Sequence, residues 1–200
     1  MKNTSNIRKY KILSKFYDSV FSKLLNRGRT KALSLLDFKE NQKVLLIGVG
    51  TGLDIPLIPE YCHIMGADLS PSMLDVAKRK FKRRDADFKE MNAEVLEFID
   101  AEFDVVILSL ILSVVENPKS ALEEALRVVK QDGSLLIFDK FREEKVTFGR
   151  KLLNVITSAV GTDINRSFDD IVDGFKVIIH EDIPVMYADN YRAILVSKKE

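Results

Sequence analysis

Gly48, Gly50 and Gly52 stand at alternate positions in VLLIGVGTGLDIPLIP, residues Val44 to Pro59, directly after four apolar residues. Glycine costs conformational entropy wherever it sits, so three so close together mark backbone that another group must approach. A glycine loop between a first strand and a helix is where doubly wound folds hold nucleotide-like ligands. The dinucleotide fingerprint G-x-G-x-x-G needs a glycine at position 53, which is Leu53, so the spacing is G-x-G-x-G. Asp68 follows in GADLSPSML. At the end of a second strand its carboxylate accepts both hydroxyl hydrogens of a ribose and disfavours a ligand with a 2′-phosphate. Other chemistries lack their residues. His63 and His180 are the only histidines, with no cysteine or carboxylate at metal-ligand sequence spacing, so no metal is expected. The G-x-S-x-G of a serine hydrolase is missing.

These residues need elements to position them. KVLLIG reads as a buried strand, so the glycine loop opens at its C-terminal end. GLDIPLIP reads as a helix start stopped by Pro56 and Pro59. CHIMGAD is a second strand carrying Asp68 at its end. The helix SPSMLDVAKRKFKRR opens with Ser70 as N-cap and Pro71 at its first position. ADFKEMN, FDVVILSL and SLLIFDK are the third to fifth strands, with the helix PKSALEEALRVVKQ and a turn at Asp132-Gly133 before the last. Strands alternating with helices mean βαβ units and a parallel sheet. After Lys140, VTFGRKLLNVITSAV reads as an amphipathic helix and GTDINRSFDDIVDG as a polar turn with a short helix ended by Gly174. FKVIIHEDIP and YRAILVSK close the chain as two strands, and their short link demands antiparallel pairing. At the other end, residues 6–26 read as a helix with Leu13, Tyr17, Val20, Phe21 and Leu24 on one face. A second short helix, about Thr30 to Leu36, follows Gly28.

A chain of 200 residues, 46% hydrophobic and 30% charged, fits one soluble domain over 1–200. It divides into a basic amphipathic helical segment (1–36), a cofactor-binding core (37–140), a substrate-side insertion (141–174) and a closing hairpin (175–200). The lone Cys62 forms no intrachain disulfide and suits a reducing compartment. MKNTSNIRKYK lacks a signal-peptide apolar stretch, and VVILSLILSVV is too short to span a bilayer. The expected location is cytoplasmic. Net charge is +1, yet residues 1–31 carry nine basic residues against Asp18 alone, leaving −7 on the remainder. That asymmetry suits peripheral contact with an anionic surface such as the inner face of a membrane.

VLLIGVGTG, GADLSPSMLDVAKR, FDVVILSLILSVVENPKSALEEALRVVKQDGSLLIFDK and the closing hairpin together resemble the class I S-adenosylmethionine-dependent methyltransferases. The resemblance implies an α/β Rossmann-like, doubly wound, seven-stranded sheet, mostly parallel with an antiparallel last strand and helices on both faces. It implies S-adenosylmethionine as cofactor and S-adenosylhomocysteine as product. The loop Gly48, Val49, Gly50 and Gly52 would approach the methionine portion and ribose, with Asp68 on the ribose hydroxyls. Leu69 and Met73 would flank the adenine, Asn92 would meet its amino group, and the Ala93 N–H a ring nitrogen. Ser109 and Leu110 would lie near the methionine end. One departure stands out. Leu46 occupies the position where the family usually has an acid that helps to place the methionine ammonium.

The acceptor must be read outside the core. KFYDSVF and RKLLNVITSAVGTDINRSFDDI are similar to segments of small bacterial phospholipid N-methyltransferases, which methylate the amine of phosphatidylethanolamine. Quinone-precursor C-methyltransferases share a similar core and an N-terminal YD segment, so that acceptor stays open, as does a non-catalytic S-adenosylmethionine-binding module. For a lipid amine, Tyr10, Tyr17 and Tyr187 are candidates to orient the headgroup, since an ammonium sits on aromatic faces. Tyr17 and Asp163 are the candidate catalytic residues, Asp163 as proton acceptor. Arg150, Lys151 and Arg166 are candidates for the phosphate. Nucleic acid is not expected, because the region after the fourth strand reads LSLILSVV rather than Asn/Asp-Pro-Pro-aromatic.

Overall fold

A computed structural model of the chain describes residues 25–141, 166–186 and 191–199. Helix α1 covers residues 25–33. Then follow β1 (Lys43–Ile47), a 3-10 turn (Ile55–Leu57), β2 (His63–Asp68), α2 (Pro71–Lys80), β3 (Ala86–Glu90) and β4 (Phe103–Ser109). The second half has α3 (Pro118–Val128), β5 (Val129–Lys140), α4 (Phe168–Val172), β6 (Val177–Pro184) and β7 (Tyr191–Lys198).

The seven strands form one sheet in the order β3-β2-β1-β4-β5-β7-β6. β1 pairs in parallel with both β2 and β4, so the strand order reverses between β1 and β4. Connections there leave in opposite directions, and a crevice opens beyond the strands' carboxyl ends. β7 runs antiparallel to both β5 and β6, as the short link required.

Strand periodicity explains the two-sided core. Leu45, Ile47, Val106, Leu108, Leu135 and Ile137 pack with Ala121, Leu122 and Ala125 of α3 and Phe168 and Ile171 of α4. Their strand neighbours Val44, Leu46, Val105, Ile107, Leu136 and Phe138 pack on the other face with Ala32 and Leu33 of α1, Ile55 and Leu74. Alternate side chains point to opposite faces, so continuous apolar runs are what a doubly covered sheet requires.

Three local readings are corrected. Gly28 does not separate two helices; α1 runs through it. A Cβ there would lie 3.1 Å from Phe138 Cζ and Met186 Cγ, so the missing side chain lets α1 lie close on the sheet. Asp132-Gly133 is not a turn but part of β5, where Phe103 pairs with Val129 and Val105 already with Ser134. The extra residues form a bulge. GLDIPLIP yields only the 3-10 turn, with Pro56 inside it. Ser70 holds the N-cap position of α2, but its hydroxyl meets Ser72 Oγ at 3.1 Å and makes no cap bond. Side-chain caps occur at α3, where Asn117 accepts from the Lys119 and Ser120 N–H groups, and at α4, where Ser167 accepts the Asp170 N–H. Residues 6–24, the expected helix after Lys140 and most of the insertion lie outside the described residues.

Candidate active site

At the end of β1 the chain turns through Gly48 (φ +76°), and the N–H groups of Gly48 and Val49 both donate to Ala67 O, at 2.8 and 3.1 Å. The loop is thereby tied to the end of β2. The glycines have different tasks. A Cβ on Gly52 (φ +82°) would meet Phe81 Cε2 at 2.6 Å, so this glycine serves packing within the protein. A Cβ on Gly50 (φ +55°) would meet only Gly48 O, at 4.0 Å, so its open side faces the space where a ligand backbone approach is needed.

That space is a cleft of about 960 Å³, its open mouth included. Asp68 stands on one wall. Its Oδ2 accepts the Gly50 N–H and its Oδ1 the Ser70 N–H, both at 2.8 Å. Burial pushes its pKa up, and the two N–H groups pull the other way. A carboxylate has about four acceptor positions, so both oxygens can still accept from a diol. Leu69, Met73 and Met91 give an apolar wall beside it, with Asn92 and Ala93 at the rim of β3. Asn92 Oδ1 accepts the Glu94 N–H at 3.1 Å, which orients its amide. On the far side Leu110 adopts φ +56° and donates its N–H to Phe138 O at 2.7 Å. A branched residue held in the left-handed region is stored strain of the kind that gathers at binding sites.

The floor carries charge. Arg29 of α1 and Asp54, just before the 3-10 turn, line the cleft with Nε and Oδ1 3.0 Å apart. Both side chains are only 5% exposed. Ser109, at the end of β4, lines the same floor. Burial pushes the Asp54 pKa up, while the Arg29 charge and the Ser109 hydroxyl beside it pull it down.

The comparisons with known proteins agree with this geometry. Residues 45–137 match the methyltransferase domain family. A phosphatidylethanolamine N-methyltransferase of Cereibacter sphaeroides is 31% identical over 133 residues, 64% of this chain and 65% of that protein. A demethylmenaquinone methyltransferase of Paenarthrobacter aurescens is 38% identical over 127 residues, 60% and 49% of the two chains. A ubiquinone/menaquinone biosynthesis C-methyltransferase of Shewanella piezotolerans is 31% identical over 151 residues, 70% and 59%. The chain spans about half to two thirds of the length of these relatives. Among solved structures, an S-adenosylmethionine-dependent methyltransferase of Thermotoga maritima superposes with TM-score 0.72 at 21% identity, covering 96% of this chain and 99% of that one. A Haloferax volcanii methyltransferase in complex with the Trm112 activator gives TM-score 0.81 at 14% identity, with 97% of each chain covered. Residues 45–137 match a methyltransferase domain, on the fold shared with solved S-adenosylmethionine-dependent methyltransferases.

S-adenosylmethionine is the cofactor of such a domain, and the cleft has the donors and acceptors for it. All the expected cofactor residues line the cleft except Gly52, which supports the loop from behind. Leu46 is buried in the core between β1 and α1, so the missing acid is replaced by packing, not by a nearby polar contact at that position. Arg166 does not line the cleft. Its guanidinium donates to Leu112 O, and at 2.7 Å to Val115 O. It clamps the loop after β4, whose Val114 and Val115 form part of the cleft wall. Those carbonyl contacts give it a positioning role for that loop. Tyr10, Tyr17, Arg150, Lys151, Asp163 and Tyr187 lie outside the described residues. Arg29 and Asp54 are the site residues that sequence reasoning missed. A basic residue directly after Gly28 and an acid two after Gly52 look like ordinary surface charges until the fold buries them together.

Among the described residues, no helix is long and apolar enough to cross a membrane.

Proposed function

We propose that this protein transfers a methyl group from S-adenosylmethionine to a lipophilic acceptor, a phospholipid headgroup amine of the phosphatidylethanolamine type. The observation that carries the cofactor half is the cleft at the strand-order reversal, with Asp68 on its wall and open space at Gly50. The lipid half is supported by the phosphatidylethanolamine N-methyltransferase relative and by the basic surplus of residues 1–31. The cofactor supplies a methyl group activated by its sulfonium charge. What this chain must add is placement. Asp68 holds the ribose diol, Leu69 and Met73 sandwich the adenine, and Asn92 and the Ala93 N–H read its edge. Ser109 and Leu110 border the methionine end, and placing the acceptor's lone pair on the side of the methyl group opposite the departing sulfur would supply most of the rate. An amine acceptor must first lose a proton, and an apolar entrance lowers its pKa and favours that loss. Tyr10, Tyr17 and Tyr187 are proposed to orient the headgroup, Asp163 to take the proton, and Arg150 and Lys151 to pair with the phosphate.

A second reading rests on the quinone-pathway relatives: a carbon acceptor on a quinone precursor. Incubation with labelled S-adenosylmethionine separates the two. Label in mono- or dimethylated phosphatidylethanolamine, incorporated faster from vesicles that contain anionic lipid, is the expected result. Label only in a demethylated quinol assigns the second reading. Cofactor binding with label in neither acceptor removes both.

A further inference from the structure

Arg29 and Asp54 form a buried ion pair that is incompletely satisfied. Arg29 Nε and Asp54 Oδ1 face each other at 3.0 Å, yet these two atoms, Arg29 Nη1 and Ser109 Oγ are all buried without a hydrogen bond of good geometry. Such atoms are uncommon, because a polar group taken from water without a partner is costly. A buried ion pair repays its desolvation only when its remaining donors and acceptors are also used. Here they gather on the floor of the cofactor cleft, from three different elements: α1, the turn after the glycine loop, and the end of β4. None of them is on β1, where Leu46 fills the position of the usual acid.

We propose that Arg29, Asp54 and Ser109 together bind the α-amino-carboxylate end of the cofactor, so that the acid absent at Leu46 is rebuilt from the turn at Asp54. This rests on the cofactor reading above and deepens it. The ligand group is a zwitterion, and the protein pair is one as well. Arg29 offers Nη1 to the carboxylate, and Asp54 Oδ1 with Ser109 Oγ accepts from the ammonium. The four charges alternate, and no net charge is buried. The ammonium also favours the ionised form of Asp54, whose pKa burial alone pushes up. Specificity follows: a ligand with adenosine and thioether but no amino-acid end leaves Arg29 Nη1 and the remaining acceptor capacity of Asp54 and Ser109 unmet.

The test is calorimetric titration of the full chain with S-adenosylhomocysteine and with 5′-methylthioadenosine, which lacks the amino-acid end. In Asp54→Asn and Arg29→Gln, the affinity for S-adenosylhomocysteine is expected to fall by about tenfold or more, as for loss of a hydrogen bond to a charged group. Affinity for 5′-methylthioadenosine is expected to stay within about twofold of wild type. Equal losses for both ligands would mean that the pair only holds α1 against the turn, and would overturn the inference. Unchanged S-adenosylhomocysteine affinity would overturn it too. Should either variant fail to fold, the wild-type protein is titrated with decarboxylated S-adenosylhomocysteine, and Ser109→Ala with both ligands. Undiminished binding of the decarboxylated ligand refutes the Arg29 role. Failure of the wild type to bind either adenosine compound refutes the cofactor reading itself, a separate outcome.

Discussion

Gly50 and Gly52 differ by two positions and share a left-handed backbone, yet substitutions there should report different things. Gly52→Ala places a methyl group 2.6 Å from Phe81 and adds backbone strain, so stability should fall by about 2 kcal/mol in a urea titration. Gly50→Ala meets no close atom, so stability should fall by only about 1 kcal/mol, while S-adenosylhomocysteine affinity drops because the methyl group enters the cleft. Asp139, at the end of β5, shows another effect of depth. It is fully buried, and burial lifts its pKa to about 6 despite N–H bonds from Ser113 and Lys140. A carboxyl raised in the folded state binds more protons folded than unfolded between its two pKa values. Its contribution to stability therefore falls as pH rises from about 4 to 6. Asp139→Asn removes that titration but also mismatches one N–H. Relative to the variant, wild type should lose on the order of 2–3 kcal/mol between pH 4 and pH 7, read from denaturant midpoints across that range.

At the scale of elements, the seating of α1 decides whether Arg29 reaches the cleft. Gly28 lies against Phe138 and Met186, and Arg29 follows it. Gly28→Ala gains helix propensity of about 1 kcal/mol and loses a similar amount to the 3.1 Å contacts, so its melting temperature should be close to wild type. Gly28→Leu cannot be housed there. It should cost about 1–3 kcal/mol and weaken S-adenosylhomocysteine binding by displacing Arg29. Loss of stability with unchanged binding would show that α1 can shift without moving its arginine. The same logic applies to Arg166, which holds the loop after β4 by two carbonyls and so shapes the cleft without touching it.

The whole molecule is electrically divided, with +8 in residues 1–31 and −7 in the rest. If the basic part meets the membrane, each lysine near an anionic surface contributes about 1 kcal/mol. The triple variant Lys9→Gln, Lys11→Gln, Lys15→Gln should then bind anionic vesicles about a hundredfold less well in a sedimentation assay. Its affinity for S-adenosylhomocysteine in solution should not change, because the described cleft contains none of these residues. Equal vesicle binding by both proteins would remove the membrane part of the proposal.

The seven-stranded alternation, the antiparallel closing strand and the glycine–Asp68 site were legible in the chain because they depend on local signals. Apolar period, turn residues and short links act over a few positions, and G-x-G-x-G with Asp68 lies within one βαβ unit. The helix through Gly28 and the long bulged β5 were not legible, because packing against Phe138 and pairing with β4 overrode local propensity. The ion pair of Arg29 with Asp54 was beyond sequence reading for the same reason. Twenty-five residues separate the two side chains, and only the closing of α1 over the sheet takes both from water to the floor of one cleft. Composition and periodicity determined what this chain builds; tertiary burial decided which of its charges face the ligand.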